Sequence, residues 1–341
     1  MKSRNFLLII LSLFLVLGSR PTVLAQQNGR EKLKAIFKLR ATIPAEARTA
    51  SILGAKREGN GVLIDDQGHV LTIGYLILEA EKIELVGPTG EVVEAAFVAY
   101  DHRTGFGLIK AGQPLGVTPL ELGRSAQIEP GDPLLVAGHG GSDSAQAARV
   151  VSRGEFAGYW EYLLEKAIYT SPPHPDYGGA ALLDQEGRLV GIGSLYSQLA
   201  VEGYGAIPCN VSVPIDLLKP ILADLISLGR SSAPPQPWLG VNVAEVRGRV
   251  FVNRVTADGP AARGGLLADD IILTVNQEGV RGLSDFFRKV WALGTAGVEV
   301  PLTVLRGVEI KTLTIRSSDR SHYLQTPFKK KAEVDLKRKR R

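Results

Sequence analysis

Residues 59–72 read GNGVLIDDQGHVLT, two short β-type runs separated by a turn sequence. The first run occupies 61–64 and the second 69–72, with the polar stretch 65–68 between them. Gly68 ends this stretch, and glycine accepts the positive φ that a tight hairpin turn needs. The segment therefore predicts two antiparallel strands joined by a tight turn.

Similar runs continue on the C-terminal side of this hairpin. Strands are predicted at 83–86, 91–94, 106–111, 133–137, 148–152 and 188–192. Many short strands with glycine-rich turns favour a barrel or a sandwich, and strand spacing leaves both open. The period changes at 214–228, where apolar residues recur every three or four positions, predicting an amphipathic helix that stops at Gly229.

The proline-rich stretch 231–237, SSAPPQP, predicts an extended linker and hence a domain boundary. After it, strands are predicted at 238–241, 250–253, 270–275, 298–305 and 310–315. Short helices are predicted at 260–266 and 283–293. About 80 residues in this order suit one small binding module.

Both ends of the chain have special compositions. Lys2 and Arg4 precede an apolar run at 6–17, which predicts a secretory signal peptide cleaved after Ala25. An uncleaved membrane anchor is the alternative, although a spanning helix needs about 18 apolar residues. The segment 329–341 carries eight lysines and arginines against two acidic residues. It predicts a solvated basic tail that could contact anionic surfaces, with no specific nucleic-acid partner expected.

Several motifs, taken together, resemble the HtrA/Deg family of proteases. The matching stretches are 59–65, 68–72, 101–110, 131–138, 178–184, 187–192 and 203–208, followed by 238–241, 259–262, 265–267 and 269–276. The resemblance implies a mainly β protein, with a chymotrypsin/trypsin-like double β-barrel followed by a C-terminal PDZ domain of α+β type. It divides the chain into a signal peptide (1–25), an N-terminal segment (26–52), a protease-fold domain (53–229), a linker (230–237), a PDZ domain (238–318) and a basic tail (319–341).

The catalytic positions of that family carry other residues here. The histidine position matches Tyr75, the aspartate position Gly105, and the serine position Gly178, or Tyr177 if the loop is aligned one residue earlier. Serine hydrolysis needs a hydroxyl, an imidazole and a carboxylate in contact. Loss of such a triad lowers turnover by about a million-fold. We therefore expect a pseudoprotease, and whether the chain is an enzyme remains open.

The alternative is an active serine endopeptidase with displaced residues. Ser171 and His174 lie near the nucleophile loop and are the candidate substitutes, although the prolines at 172 and 173 restrict their geometry. The single cysteine, Cys209, is expected to be a buried structural residue. No paired-histidine or second-cysteine spacing supports a metal site, and no cofactor is expected.

A PDZ domain binds an extended C-terminal peptide as an added strand, with the carboxylate held by backbone N–H groups. By resemblance, the carboxylate loop is Trp238, Leu239, Gly240 and Val241, and 242–245 is the pairing strand. Phe286, Phe287 and Val290 on the second helix are candidates for the side-chain pocket or the core.

The resemblance implies binding of exposed protein C-termini, in a scaffold, chaperone-like or regulatory role in envelope protein quality control. It also implies a homo-oligomer such as a trimer, or a mixed oligomer with an active relative. The expected location is the periplasm of a Gram-negative bacterium, with membrane association if the signal is uncleaved.

Overall fold

The computed structural model of this chain describes residues 29–201 and 205–324. The expected signal peptide, residues 26–28 and the basic block 329–341 lie outside the described residues. Within the described part, two closed antiparallel β-barrels are followed by a smaller mixed α/β unit.

The first barrel has the strand order β1-β2-β3-β6-β5-β4. Its strands are β1 (Ile36–Thr42), β2 (Lys56–Leu63), β3 (His69–Ile73), β4 (Lys82–Val86), β5 (Val92–Tyr100) and β6 (Phe106–Ala111), and the short helix α1 (Ala50–Leu53) lies between β1 and β2. β1 pairs with both β2 and β4 and so closes the barrel. It lies within the 26–52 segment, so this barrel begins before residue 53.

The residue pattern of β1 explains why it joins the core. Ile36, Phe37, Leu39 and Ala41 are buried, whereas Arg40 is exposed. Lys38 and Arg40 form ion pairs with Glu58 on the neighbouring strand. The aliphatic side chains thus fill the barrel while the cations remain at its surface.

The second barrel has the order β10-β11-β12-β9-β8-β7. Its strands are β7 (Pro133–Ala137), β8 (Ala145–Gly158), β9 (Tyr162–Ser171), β10 (Ala181–Leu183), β11 (Leu189–Val201) and β12 (Gly205–Pro214). β8 and β9 are long, and they pair along their length up to Gly158 and Tyr162. Their hairpin therefore extends beyond the barrel.

The single helix predicted at 214–228 is wrong in its first half. A 3-10 turn at Ile215–Leu217 precedes the helix α2 (Leu222–Leu228). Pro220 explains the break, because proline lacks an N–H and disfavours helical geometry in the residue before it. The predicted stop is confirmed, since Gly229 has the left-handed conformation with φ 72°.

The C-terminal unit is a sheet of order β13-β14-β15-β17-β18, with β16 paired to β15. Its elements are β13 (Val241–Val246), β14 (Arg249–Val255), α3 (Pro260–Arg263), β15 (Ile271–Val275), β16 (Glu278–Gly279), α4 (Leu283–Ala292), β17 (Glu299–Arg306) and β18 (Glu309–Arg316). The strand predicted at 238–241 is wrong in position, since β13 starts at Val241. Trp238 forms only an isolated bridge with Ser318.

Candidate functional site

A cleft of about 580 Å³ lies where the loops of the two barrels meet. The first barrel contributes Tyr75 and Asn60, and the second contributes Asp176, Tyr177 and Gly178. Two of the three substituted positions, Tyr75 and Gly178, therefore line this cleft.

The three positions lie next to one another. The N–H of Gly74 donates a hydrogen bond of 2.7 Å to the carbonyl of Gly105, which brings the loop at 105 beside Tyr75. A methyl group at Gly178 would lie 2.9 Å from the Tyr75 hydroxyl. The fold therefore brings Tyr75, Gly105 and Gly178 together, and these three residues supply no imidazole, no carboxylate and no nucleophilic side chain.

Tyr75 is held from both ends. Its hydroxyl donates a 2.9 Å hydrogen bond to the carbonyl of Ser194 on β11, and its own carbonyl accepts one of 2.7 Å from Arg57 Nη1. Burial raises the pKa of the Tyr75 hydroxyl, and the neighbouring Tyr177 raises it further. The phenol is thus neutral and committed to a carbonyl, so it does not serve as a base.

Gly105 has a φ of +81°, in the left-handed region that favours glycine. A Cβ at this position would lie 3.0 Å from the hydroxyl of Tyr162, which itself donates a hydrogen bond to the carbonyl of Thr104. Tyr162 therefore lies against Gly105, the residue expected from the sequence to match the aspartate position. A side chain at residue 105 would meet both backbone strain and this hydroxyl.

The loop 171–179 contains the two substitute candidates, Ser171 and His174, and their side chains bond to other partners. The Ser171 hydroxyl donates 2.9 Å to the carbonyl of Pro208. His174 is buried, and its Nδ1 accepts from the N–H of Asp176 at 3.1 Å. This leaves the proton on Nε2, which faces the carbonyl of Ser144 at 3.2 Å. Both ring nitrogens of His174 therefore contact the backbone.

Asn60 anchors this loop from the first barrel, and sequence reasoning missed its role. Its side-chain amide donates to the carbonyls of Asp176 and Gly178 at 2.8 and 3.1 Å. Its side-chain oxygen accepts from the N–H of His139 at 2.7 Å. Asn60 is 3% exposed, and its three bonds are partly buried contacts between the barrels. In the sequence, only its position between Gly59 and Gly61 distinguishes Asn60 from other polar residues.

The second candidate site is the loop assigned to carboxylate binding in the C-terminal unit. The N–H groups of Leu239, Gly240 and Val241 all donate to the side-chain carboxylate of Glu161, at 2.8, 2.8 and 3.0 Å. Glu161 belongs to the second barrel, at the tip of the β8–β9 hairpin. Sequence reasoning did not identify it, because no local pattern links it to residues about 80 positions away.

The other residues assigned to the peptide site pack against side chains of the C-terminal unit. Phe286, Phe287 and Val290 are at most 2% exposed and belong to the hydrophobic core of this unit. The ring of Trp238 packs against the ring of Tyr323, with 4.9 Å between centroids. Two side chains of the barrel hairpin, Ala157 and Leu163, pack against the same core.

Burial raises the pKa of the Glu161 carboxyl, while the three N–H groups and Arg320 oppose this shift.

Within residues 29–201 and 205–324, no group of three or more His, Cys, Asp or Glu is placed to hold a metal ion. In the same ranges, no helix combines the length and the apolar character needed to cross a membrane.

Comparisons with known proteins agree with this architecture. A family model described as a trypsin-like peptidase domain matches residues 59–192, and one described as a PDZ domain matches 237–316. A probable periplasmic serine endoprotease DegP-like of Pseudomonas fulva is 26% identical over 293 residues, covering 80% of this chain and 59% of that protein. The serine endoprotease DegS of Salmonella typhimurium is 26% identical over 269 residues, covering 73% of each.

Among solved structures, the HtrA-type protease AlgW with a decapeptide has a TM-score of 0.52 at 22% identity, covering 88% of this chain and 99% of that one. At this identity the likeness concerns the fold alone. The chain spans somewhat more than half the length of the DegP-like relatives it matches. It carries a trypsin-like peptidase domain followed by a PDZ domain.

Proposed function

We propose that this chain is an HtrA-like protease homologue that has lost catalysis and binds exposed peptide C-termini through its PDZ domain. The observation that carries the first part is the hydrogen bond of the Tyr75 hydroxyl to the Ser194 carbonyl, with Gly178 opposite. A proton acceptor and a nucleophile are both required for acyl transfer. Neither stands at the positions where the family has them.

Peptide binding is supported by the backbone of the PDZ loop. Three successive N–H groups, at 239–241, converge on one carboxylate, which is the chemistry that recognises a chain terminus. This recognition uses main-chain donors, so it is independent of the substituted triad. Phe286, Phe287 and Val290 line or support the apolar part of the site in this proposal.

A direct test combines casein hydrolysis with labelling by a fluorophosphonate, which reacts with activated serines. The full mature chain is expected to give neither cleavage nor label. Labelling at Ser171 that disappears in Ser171→Ala, but persists in the control Ser152→Ala, would establish the alternative, an active endopeptidase using Ser171 and His174. The bonds of Ser171 to Pro208 and of His174 to backbone groups argue against it.

The cellular setting is proposed from the relatives. The DegP-like proteins it matches are named periplasmic, which agrees with the expected signal peptide, so we place the protein in the periplasm. Its role there would be scaffolding, chaperone-like binding or regulation in protein quality control. A homotrimer or a mixed oligomer with an active relative is tested by light scattering of the pure protein and by co-purification from envelope extracts.

A further inference from the structure

The β8–β9 hairpin ends in a three-residue loop, Tyr159–Trp160–Glu161, that reaches from the barrel to the PDZ domain. Glu161 has a φ of 60°, in the left-handed region. Three-residue hairpin loops often place a left-handed residue at their third position, and glycine is the residue that adopts it without steric cost. A glutamate here departs from local preference, which points to a use for its side chain.

The Glu161 carboxylate is bound as a peptide terminus would be. Its Oε1 accepts from the N–H groups of Gly240 and Val241, and its Oε2 accepts from that of Leu239. Glu161 is only 8% exposed, so these bonds are shielded from water. A shielded carboxylate held by several backbone N–H groups makes charge-assisted bonds, which are stronger than neutral ones.

Other parts of the hairpin also make the contacts expected of a bound peptide. The carbonyl of Tyr159 accepts a 2.9 Å hydrogen bond from the N–H of Val243 on β13, the strand expected to pair with a peptide. Ala157 and Leu163 pack against the hydrophobic core to which Phe286, Phe287 and Val290 of α4 belong. The hairpin therefore supplies a carboxylate, a main-chain acceptor and apolar side chains, which are the three features of PDZ recognition.

Further bonds hold the two domains in this arrangement. Arg320, after the last PDZ strand, donates from Nη1 to the carbonyl of Trp160 at 3.1 Å. Arg288 on α4 forms an ion pair with Glu155 on β8. Trp160 stacks on Tyr162 with 5.5 Å between ring centroids, and the Tyr162 hydroxyl is bonded to Thr104 beside the cleft. The hairpin is thus fixed at both the PDZ domain and the barrels.

We propose that the β8–β9 hairpin is an internal ligand of the PDZ domain: Glu161 takes the place of a peptide's C-terminal carboxylate, and a peptide binds only after displacing it. The inference rests on the peptide-binding function proposed above. Because the hairpin belongs to the same chain, it competes at a high effective concentration. The apparent affinity for a peptide is lowered in proportion to the fraction of molecules in which the site is free.

The experiment compares the mature wild-type chain with Glu161→Gln, Glu161→Gly and Glu165→Gln. Glu161→Gln removes the charge. Glu161→Gly removes the whole side chain and suits the left-handed backbone conformation, so this variant is expected to fold even if the first one does not. Glu165 lies on the same hairpin and is exposed, which makes its variant the matched control. The first readout is hydrogen exchange of residues 239–243 without peptide.

The second readout is fluorescence anisotropy with fluorescein-labelled decapeptides that end in Ala, Val, Leu, Phe or Tyr. Each peptide is prepared with a free carboxylate and as the C-terminal amide. We expect both Glu161 variants to exchange faster at 239–243 and to bind at least one free-carboxylate peptide about tenfold tighter or more. Glu165→Gln should match the wild type, and the amides should bind poorly.

The outcomes separate the two proposals. Equal exchange in all four proteins would overturn the proposal that the hairpin is an internal ligand. Measurable peptide binding whose affinity Glu161→Gly leaves unchanged would do the same and would leave the PDZ domain as an open peptide site. Faster exchange in Glu161→Gly without binding of any free-carboxylate peptide would instead support closure by Glu161 and overturn the peptide-binding function.

Discussion

The hydroxyl of Tyr75 donates to the carbonyl of Ser194 at 2.9 Å and so links the first barrel to β11 of the second. Tyr75 is the residue that our proposal assigns to the histidine position of the family, and its hydroxyl is engaged by this carbonyl. This hydrogen bond contributes to the contact between the barrels, and its effect on stability can be measured.

Tyr75→Phe should lower the free energy of unfolding by about 1 to 2 kcal/mol, because it leaves the carbonyl of the buried Ser194 without its donor. Urea denaturation of the purified chain measures the change. Tyr196→Phe is the control, since Tyr196 is 50% exposed and should tolerate the loss of its hydroxyl. Equal stability of the two variants would mean that the Tyr75 bond contributes nothing net.

Gly105→Ala should destabilise the chain more than Gly116→Ala. Both glycines have positive φ, +81° and +67°, so both variants carry backbone strain of about 1 kcal/mol or more. Only at Gly105 does the new Cβ also meet the Tyr162 hydroxyl, at 3.0 Å, while Gly116 has open space around it. Thermal or urea unfolding would reveal the extra penalty. Equal losses of unfolding free energy in the two variants would show that Tyr162 moves aside without measurable cost.

The contact between residue 105 and the Tyr162 hydroxyl also predicts that placing histidine, aspartate and serine at 75, 105 and 178 is not enough to produce a reactive serine. The triple variant Tyr75→His, Gly105→Asp, Gly178→Ser should show little fluorophosphonate labelling, because the aspartate at 105 meets Tyr162 and adopts strained backbone geometry. Adding Tyr162→Phe removes the hydroxyl and should raise the labelling. Efficient casein cleavage by the triple variant alone would contradict this.

Asn60→Ala should destabilise the chain and increase the mobility of the loop 171–179. It removes two donated hydrogen bonds to the loop carbonyls and one acceptor for His139, all partly buried, so we expect a loss of about 2 to 4 kcal/mol in unfolding free energy. Hydrogen exchange over 174–179 should accelerate. Asn253→Ala, at an exposed position of the PDZ domain, is the control and should leave both quantities unchanged.

The PDZ domain contains an ion pair that predicts acid sensitivity. Asp270 accepts two hydrogen bonds of 2.7 Å from Arg306 and one of 2.9 Å from the N–H of Leu267. Burial alone would raise the pKa of Asp270, but the bonds from Arg306 and Leu267, with Lys311 nearby, hold it below its usual value. The stabilisation is therefore complete above the usual aspartate pKa of about 3.9 and is lost as pH falls through the lower folded value.

Asp270→Asn should accordingly cost about 2 kcal/mol at pH 7, and the difference from the wild type should shrink as pH is lowered below about 4. Urea unfolding at pH 7, 5 and 3 provides the measurement. Glu309→Gln breaks an exposed pair with Lys311 and should change little at any pH. A difference that stays constant down to pH 3 would argue against the ion pair as the cause.

Local sequence patterns predicted much of the fold. The runs at 106–111 and 133–137 coincide with β6 and β7, because apolar β-type residues between turn sequences suffice to define a strand. The predicted helix 214–228 was wrong at its start, where Pro220 overrides the apolar period. β1 went unrecognised, because Lys38 and Arg40 interrupt its apolar run and their partner, Glu58, lies on another strand.

The sequence by itself predicted many of the strands and fixed the identity of the residues at 75, 105 and 178, since these depend on local periodicity and on side-chain chemistry. Only the tertiary structure decided that Tyr75 bonds to Ser194 and that Glu161 occupies the PDZ loop. Those contacts join residues 119 and about 80 positions apart. Their physical cause is the closing of two barrels and the docking of a third unit against a long hairpin, which brings together groups that no local pattern connects.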